Sequence, residues 1–515
     1  MNKSLRYCFA LLLTAVMLAG NTVTAYAASD SNSGPGVAYQ EQPQDNTANT
    51  ETNAQSDTGT AGQDTTAGQN TTDNQTAAEG GEAHNAEAAA DVAEEAAAAA
   101  AEAAAQANNP MSVPNRVPHL QTTVLLQNGQ WSRPFVNDET IYNDGTTFIS
   151  ISIFLTEIIG NIHYRAYTSA GGWTPWAMNG QQTTITTLED SQWAPIEAIQ
   201  VRFSGPVHNA YDIYYTTTLT DGKSTDWAKN SDTAGTMNQG LALTGFRLAC
   251  FSKGDAFPYS TAKPLVSAHA DGIQNIDGAL RYIHGDGSNF TGWAWDDTDR
   301  YYFVDSNPVT GWQYLDGYKY YFAEDGKLVQ DLEPVIGAKG PYHIKINKEM
   351  NCMTIYVQDG GNGFIIPLKT FLISTGDDTP LGTFKTPEKY RWRLMNSGVY
   401  AQYATRLGSG LSFLMHSIIY DRPDTYTAWA STYNHMGVAR SAGCIRLLSR
   451  DAKWIYDNCP VGTTVTVYND YTPGPYERPV IAAEIPFAQT WDPTDVNATP
   501  EGIAAATAAI MAQAQ

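Results

Sequence analysis

The chain has few cysteines and few basic residues for its length. Only 5 of its 515 residues are Cys, and 30 Lys and Arg stand against 53 Asp and Glu, a formal net charge of −23. So few cysteines exclude a disulfide framework and leave open a single Cys352–Cys459 bridge. The acidic balance argues against a nucleic-acid partner, which would need a basic surface. No Cys/His cluster has zinc-binding spacing, so we expect no metal and no organic cofactor.

Long apolar runs are equally scarce. The run at 8–19 follows the basic residues Lys3 and Arg6 and precedes an Ala-Tyr-Ala tripeptide that ends at Ala27. This pattern predicts a signal peptide over residues 1–27. Because the run is shorter than a bilayer crossing requires, an uncleaved anchor is the less favoured interpretation. We therefore expect a secreted protein with no transmembrane anchor after cleavage.

Lys and Arg are absent from 28 to 109, where 14 residues are Asp or Glu and most others are small or polar. Such a segment cannot bury enough apolar surface to offset its conformational entropy, which predicts a disordered linker over 28–113. Beyond it, short apolar alternations punctuated by Gly and Trp predict a mostly β, multidomain chain. Residues 471–515, rich in Pro and Ala, are predicted to form a flexible tail.

A repeat with a period of 51 residues lies in the first β region, 114–255. Four positions recur at this displacement: Ile162, Tyr164, Trp176 and Asn179 become Ile213, Tyr215, Trp227 and Asn230. The pattern resembles the clostridial hydrophobic (ChW-like) repeats of Gram-positive surface proteins. That resemblance implies attachment to wall glycan through exposed aromatic side chains. The alternative is that Trp173, Trp176 and Trp227 simply fill a β core.

A second repeat, over 272–332, has a period of 19 residues. Tyr282, Tyr301 and Tyr320 share this spacing, and a Gly-Trp pair at 292–293 returns at 311–312. The pattern resembles the choline-/glucan-binding type of cell-wall-binding repeat, in which β-hairpins stack. It implies aromatic slots for a wall glycan or teichoic-acid polymer. The alternative is a spacer that packs onto the following domain.

The segment 441–447 reads Ser-Ala-Gly-Cys-Ile-Arg-Leu. A thiol needs a base to become a nucleophile, and His416, at the end of an apolar run, is the favoured candidate for Cys444. His435 is the alternative base. Gly443 permits close approach of the backbone, and N–H groups around it are candidate oxyanion donors. The pattern predicts a cysteine-dependent acyl-transfer site.

This segment resembles the signature of the L,D-transpeptidase (YkuD-type) family, in which an upstream His precedes Ser/Thr-His-Gly-Cys and an Arg. Ser-Thr-Gly at 374–376 and Thr-Pro-Leu-Gly-Thr-Phe at 379–384 match further landmarks. The resemblance implies a β-rich catalytic domain over 340–470. Two features depart from the pattern. Ala442 stands where the family usually has His, and the longer spacing between His416 and Cys444 predicts an enlarged loop over the site at 421–432.

The resemblance implies a peptidoglycan L,D-transpeptidase, secreted and associated with the cell wall. It would join the stem peptides in 3→3 cross-links through a cysteinyl thioester. Cys444 would be the nucleophile, paired as a thiolate with a His416 imidazolium, and Ser417 would orient the imidazole. Two alternatives remain open: an L,D-carboxypeptidase that uses the same site, and a wall-binding surface protein without catalysis.

The residues that flank the cysteine are implied to contact substrate. Arg446 suits a stem carboxylate because its planar guanidinium matches that group, although a salt bridge that shapes the loop is equally compatible. Ser441 and Ala442 would lie beside the substrate. Downstream, 451–457 predicts a short helix capped by Ser449.

Overall fold

The structure is a computed structural model that describes residues 93, 96, 97 and 110–513, except 114, 143–144, 184–193, 268 and 277. The predicted signal peptide and nearly all of the predicted linker lie outside these residues. The described chain is mostly β and multidomain, which confirms the predicted fold class. Among its helices, none has the length and apolarity of a bilayer crossing.

The N-terminal region builds three sheets around one apolar core, because its strands alternate apolar with polar residues, as in the Phe-Ile-Ser-Ile-Ser-Ile run of its fourth strand. Its elements are β1 (His119–Leu126), β2 (Phe135–Val136), β3 (Ile141–Tyr142), β4 (Phe148–Thr156), β5 (Asn161–Thr168), β6 (Gly172–Trp173), β7 (Ala177–Met178), β8 (Ala198–Ser204), α1 (Pro206–Ala210), β9 (Tyr211–Leu219), β10 (Ala228–Lys229), β11 (Ala234–Thr236), β12 (Leu243–Ser252) and β13 (Leu265–Val266).

The 51-residue period corresponds to a repeated set of hydrogen bonds. Ile162 N–H donates to the Asn179 side chain at 2.9 Å, and Asn179 N–H donates back to the Ile162 carbonyl at 3.1 Å. Ile213 and Asn230 repeat this exchange at 3.1 and 2.8 Å. Both asparagines have left-handed backbone, with φ of 38° and 48°, which Asn tolerates better than most residues. The sequence repeat is therefore also a structural repeat.

The 19-residue period corresponds to three β-hairpins. Tyr282, Tyr301 and Tyr320 each lie on the second strand of one hairpin, and each is at most 4% exposed. The elements of this region are β14 (Gly272–Ile276), β15 (Ala279–Ile283), β16 (Gly292–Asp296), β17 (Asp299–Val304), β18 (Asn307–Pro308), β19 (Gly311–Leu315), β20 (Tyr318–Phe322) and α2 (Glu333–Ile336).

An arginine stacked on tryptophans joins the N-terminal region to the hairpins. The guanidinium carbon of Arg202 lies 3.6 Å from the Trp295 ring centroid and 5.5 Å from that of Trp176. Within the second hairpin, Arg300 makes a similar contact, 3.9 Å from the Trp293 centroid. Cation–π contacts of this kind gain strength when they are desolvated.

Two more tryptophans singled out by the sequence are also covered. Arg165 lies over Trp173 and Trp176, at 4.6 and 4.9 Å from their ring centroids. Trp227 is buried and packs edge-on against Phe257. These contacts favour the core interpretation of the three N-terminal tryptophans over an exposed glycan-binding role.

A carboxylate from the C-terminal segment neutralises part of the arginine cluster. Glu477 accepts from Arg202 at 2.6 Å and lies 2.8 Å from the His163 ring. Burial opposes ionisation of Glu477, but the charge of Arg202 and the contact with His163 outweigh burial and hold its pKa far below the usual range. Arg202 itself is only 1% exposed. Glu477 therefore ties the C-terminal segment to the N-terminal β region.

We expect Glu477→Gln to lower the free energy of unfolding by about 3–5 kcal/mol at neutral pH, because it leaves a buried arginine without its counter-charge. Denaturant unfolding of the full chain measures this loss. Glu484→Gln is the matched control: it breaks a contact with Arg116, whose side chain is 33% exposed, and should cost less than about 1 kcal/mol. Equal losses in the two variants would contradict the prediction.

The same pair predicts a pH dependence. Because the folded pKa of Glu477 lies below the ordinary carboxyl value of 4.5, its stabilisation is complete above pH 4.5 and is lost as the pH falls below it. The difference between wild type and Glu477→Gln should therefore shrink in acid.

The C-terminal region is a nine-stranded mixed sheet with the order β24-β29-β21-β22-β23-β28-β27-β26-β25. Its elements are β21 (Tyr342–Asn347), β22 (Cys352–Gln358), a 3-10 turn (Gly360–Asn362), β23 (Phe364–Ser374), β24 (Gly382–Lys385), β25 (Lys389–Leu394), β26 (Tyr400–Arg406), β27 (Leu414–His416), α3 (Ala430–Asn434), β28 (Ile445–Leu447), α4 (Ser449–Asn458), β29 (Thr464–Tyr468) and α5 (Pro500–Gln513).

The segment after β29 differs from the predicted flexible tail. Ile481 and Ile485 are buried in a cluster with residues of the sheet, and Trp491 is 6% exposed. The predicted cap is also wrong: Ser449 is the first residue of α4, and its N–H is held by the Asp492 carboxylate at 2.9 Å. The segment has few apolar residues, and their spacing follows neither a helical nor a strand period. The sequence therefore did not predict that it packs against the sheet.

The structure describes Cys250, Cys352, Cys444 and Cys459 as free thiols, so the bridge left open between Cys352 and Cys459 does not form. The Cys352 thiol donates instead to the Pro473 carbonyl at 3.2 Å.

Candidate active site

Strand alternation brings the predicted nucleophile and base to one face of the sheet. β27 and β28 are parallel, with Met415 opposite Ile445 and His416 opposite Arg446. Because side chains alternate along a strand, Met415 and Ile445 enter the core on one face. His416, Arg446 and Cys444, which directly precedes β28, line a cavity on the other side.

This cavity has a volume of about 150 Å³ and is open to solvent. We call residues 441–444 the Cys loop and residues 393–397, at the turn between β25 and β26, the hairpin tip. The lining consists of the whole Cys loop, the whole hairpin tip and seven further residues: Arg406, Ser412, Phe413, Leu414, His416, Ile419 and Arg446.

His416 is held in one orientation. It is 1% exposed, and its Nδ1 lies 2.6 Å from the Ser417 carbonyl, which requires Nδ1 to carry the proton and donate. Its Nε2 is buried and bonds to no other described residue. Burial, reinforced by the charge of Arg446 and opposed by the Ser417 carbonyl, lowers the pKa of His416 to about 4. The imidazole is therefore neutral, with Nε2 available as a base.

The thiol is neutral as well. Burial raises the pKa of Cys444, and the Leu414 N–H, Arg446 and Arg406 only partly oppose that effect. The two shifts together disfavour a preformed thiolate–imidazolium pair in the unliganded site, because each charged form loses solvation.

A neighbouring loop fixes the Cys loop. Asp378 N–H donates to the Ala442 carbonyl at 2.9 Å, and Thr379 Oγ1 donates to the Gly443 carbonyl at 3.0 Å. A Cβ on Gly376 would lie 1.9 Å from the Ser441 carbonyl oxygen, so only glycine fits this approach. The contacts to the two carbonyls fix the backbone of the Cys loop. The N–H groups of Ala442 and Gly443 donate to no other described residue, so they can bind an oxyanion.

Glycine is also required inside the Cys loop. A Cβ on Gly443 would lie 2.3 Å from the Phe413 ring, which packs directly against the backbone there. Ser441 has a structural contact, because its hydroxyl donates to the Cys444 carbonyl at 2.5 Å. Arg446 is buried and lines the cavity, as a ligand of a substrate carboxylate would.

Ser417 contributes its carbonyl rather than its hydroxyl to the histidine. Its hydroxyl donates to the Ile418 carbonyl at 2.8 Å and accepts from Gln402 N–H at 2.9 Å. The serine is fully buried. Its position therefore depends on β26, which carries Gln402.

The structure does not bring His435 to the cavity. This residue follows α3, and its carbonyl accepts from the Ser374 hydroxyl at 3.2 Å. Among the described residues that line the cavity, His416 is the histidine present. Of the two candidate bases, the geometry thus favours His416.

The covering loop also differs from the prediction. Residues 421–432 are absent from the described lining; they fold back on the chain, where Trp429 N–H donates to the Ile419 carbonyl at 2.9 Å and its indole to Asp421 at 2.6 Å. The hairpin tip, rather than residues 421–432, lines the cavity. Alternation in Lys389–Leu394 and the turn residues Asn-Ser-Gly at 396–398 could have predicted this hairpin.

Within the described ranges, no group of three or more His, Cys, Asp or Glu side chains could hold a metal ion. The groups that line the cavity include a thiol, an imidazole, backbone N–H groups and arginines.

Comparison with known proteins identifies this region. Residues 341–467 match the family model of the L,D-transpeptidase catalytic domain, YkuD. The curated "Putative L,D-transpeptidase YciB" of Bacillus subtilis is 31% identical over 134 residues, which are 24% of this chain and 66% of that protein. The chain thus spans just under two thirds of the length of this relative.

Two solved structures are similar to part of this chain. A fused Zn-dependent amidase/peptidase/peptidoglycan-binding domain-containing protein from Clostridium acetobutylicum is 25% identical over 25% of this chain and 51% of that one, with a TM-score of 0.19. An L,D-transpeptidase from Stackebrandtia nassauensis is 20% identical over 26% of this chain and 57% of that one, with a TM-score of 0.20. From the family match and the strand architecture, residues 341–467 form a β-rich catalytic domain of the YkuD L,D-transpeptidase type.

Proposed function

We propose that the protein is a peptidoglycan L,D-transpeptidase that forms 3→3 cross-links through a thioester on Cys444. One observation carries the proposal: His416, with Nδ1 committed to Ser417 and Nε2 uncommitted, lines the same cavity as the Cys444 thiol. Acyl transfer of this kind requires a nucleophile, a base beside it and a group that orients the base, here Cys444, His416 and Ser417.

The acylation half-reaction follows from these groups. His416 Nε2 removes the thiol proton as Sγ bonds to the carbonyl carbon of the third residue of a tetrapeptide stem. The N–H groups of Ala442, Gly443 and Cys444 stabilise the oxyanion. The C–N bond to the terminal D-Ala then breaks, its amine takes the proton from His416, and the thioester remains.

The second half-reaction restores the enzyme. The side-chain amine of a neighbouring stem attacks the thioester carbonyl and gives its proton to His416 Nε2. The C–S bond breaks, the sulfur recovers the proton, and a new amide joins the two stems. Arg446, together with Arg393 of the hairpin tip, supplies positive charge for stem carboxylates in an otherwise acidic protein.

The protein would act outside the cell, at the wall. We propose that the signal peptide of residues 1–27 directs export and that the hairpin repeats over 272–332 contribute wall attachment. Among the aromatic side chains of the hairpins, Trp312 and Tyr314 remain 38% and 59% exposed, which suits contact with a glycan or teichoic-acid polymer.

The test uses the purified protein, disaccharide-tetrapeptides and mass spectrometry. Loss of D-Ala together with a cross-linked dimer is the expected result. Loss of D-Ala without dimer would show that water is the acceptor, as in an L,D-carboxypeptidase. Retention of D-Ala under all conditions would overturn the proposal of catalysis.

The pKa shifts predict how Cys444 responds to pH. Only the thiolate reacts quickly with iodoacetamide. Because burial raises the pKa of Cys444 above its ordinary value of 9.0 and lowers that of His416 to about 4, alkylation should accelerate continuously with pH up to and beyond 9.0.

A flat alkylation rate across neutral pH would instead show a preformed thiolate–imidazolium pair. Cys444→Ala protein gives the background from the half-buried Cys250. Peptide mapping of the alkylated cysteine makes the assignment direct.

A further inference from the structure

The segment from 476 to 497, between β29 and α5, runs without a helix or strand across the catalytic region. It nevertheless contains two buried carboxylates, Asp492 at 0% and Asp495 at 4% exposure. Burying a carboxylate costs free energy unless hydrogen bonds compensate it, so their partners show what the segment is bound to. Asp492 holds the first N–H of α4. Asp495 is bound elsewhere.

The partner of Asp495 is a glutamine of the sheet. Gln402 Nε2 donates to Asp495 Oδ2 at 2.5 Å, and the other carboxylate oxygen accepts from Asn497. Gln402 is fully buried on β26, and its amide also contacts the Tyr420 hydroxyl at 2.7 Å and Arg391 at 2.9 Å. Every polar atom of this side chain is therefore engaged, which fixes its conformation.

The backbone of Gln402 holds the residue that orients the histidine. Its N–H donates to the Ser417 hydroxyl at 2.9 Å, and its carbonyl accepts from Ser417 N–H at 3.1 Å. Ser417 lies just beyond the end of β27, so these two bonds attach it to β26. The direction of the Ser417 carbonyl, and with it the orientation of the His416 ring, follows from this attachment.

We propose that Asp495 is a positioning residue for the catalytic base, acting through Gln402 and Ser417 on His416. The inference rests on the proposed role of His416. Without the carboxylate, a buried amide donor of Gln402 loses its acceptor, at a cost that a shift of β26 relieves. Because Ser417 moves with that strand, Nε2 of His416 is displaced within the cavity that it shares with the Cys444 thiol, and misplacements of about 1 Å are costly in catalysis.

The test compares three full-length variants. Asp495→Ala removes the acceptor, and we expect kcat to fall roughly 10- to 100-fold with KM little changed. Asp495→Asn keeps an acceptor oxygen at the same distance and should recover part of kcat. Tyr426→Phe is the control: it removes a contact just beyond this segment, in which Thr499 N–H donates to the Tyr426 hydroxyl at 2.9 Å, and that contact leads to neither Gln402 nor Ser417.

The outcomes separate positioning from general stabilisation. A selective loss of kcat in Asp495→Ala, recovered in part by Asp495→Asn and absent from Tyr426→Phe, supports the proposal. Equal kcat in Asp495→Ala and Tyr426→Phe overturns it. If the alanine variant does not fold, Asp495→Ser provides the same comparison, because its hydroxyl is too short to reach Gln402. Failure of the proposed function would appear already in the wild type, as an absence of product.

Discussion

Cys444→Ala protein should leave disaccharide-tetrapeptides unchanged, with turnover reduced on the order of 10⁴-fold or more. The variant keeps the fold, since alanine is smaller than cysteine and the position is only half-buried. It removes the atom that would form the thioester, and no other described cysteine lines the cavity. Mass spectrometry of the products measures the loss, and intact-protein mass reveals whether any acyl-enzyme forms.

Two companion variants make this result specific. Cys444→Ser should be nearly as inactive, because an alcohol is far less ionised than a thiol. The burial that raises the pKa of Cys444 would also oppose ionisation of a serine at this position. Cys250→Ala is the matched control, a half-buried free cysteine on β12, and should keep wild-type turnover. Normal cross-linking by Cys444→Ala would end the proposal of thiol catalysis.

His416→Ala should lose about 10²- to 10⁴-fold in kcat, the range usual for removal of a general base. Its Nε2 is the ring nitrogen that the cavity leaves uncommitted, and its Nδ1 is fixed by Ser417. The comparison is with His435→Ala, assayed on the same tetrapeptide. That substitution preserves the backbone carbonyl that accepts from Ser374, so its kcat should stay within severalfold of wild type.

The variant with the larger loss of kcat shows which of the two histidines is the base. A larger loss in His435→Ala than in His416→Ala would mean that the region after α3 rearranges when substrate binds. Thermal unfolding of both variants must accompany the kinetics, because His416 is buried and its removal leaves a cavity.

The sequence singled out residues that the fold brings to one cavity, but not what surrounds them. Cys444 and Gly443 were identifiable because they are adjacent in one short motif, and His416 because it ends an apolar run upstream of that motif. The pairing of Met415 with Ile445 was not predicted, yet it is the reason that the next residues face a common cavity. Thr379 stood within a matched motif, but its bond to the Gly443 carbonyl exists only in the folded protein.

Two parts of the molecule escaped prediction for different reasons. The hairpin tip lines the cavity because the β25–β26 hairpin lies beside the Cys loop in the folded sheet, and local sequence can predict the turn but not that neighbour. The segment around Asp492 and Asp495 was expected to be flexible because it lacks apolar periodicity. Its burial depends on carboxylates that bond to Ser449 and Gln402, and single polar contacts of this kind have no repeating signature.

The same segment changes where the catalytic unit should be cut for expression. A fragment trimmed at the family boundary, residue 467, would lose Ile481, Ile485 and Trp491, and the sheet surface beneath them would be left bare to water. A recombinant version intended for inhibitor screening therefore needs to extend at least through Asn497. Low solubility of a shorter piece would reflect this missing cover rather than a defect of the thiol centre.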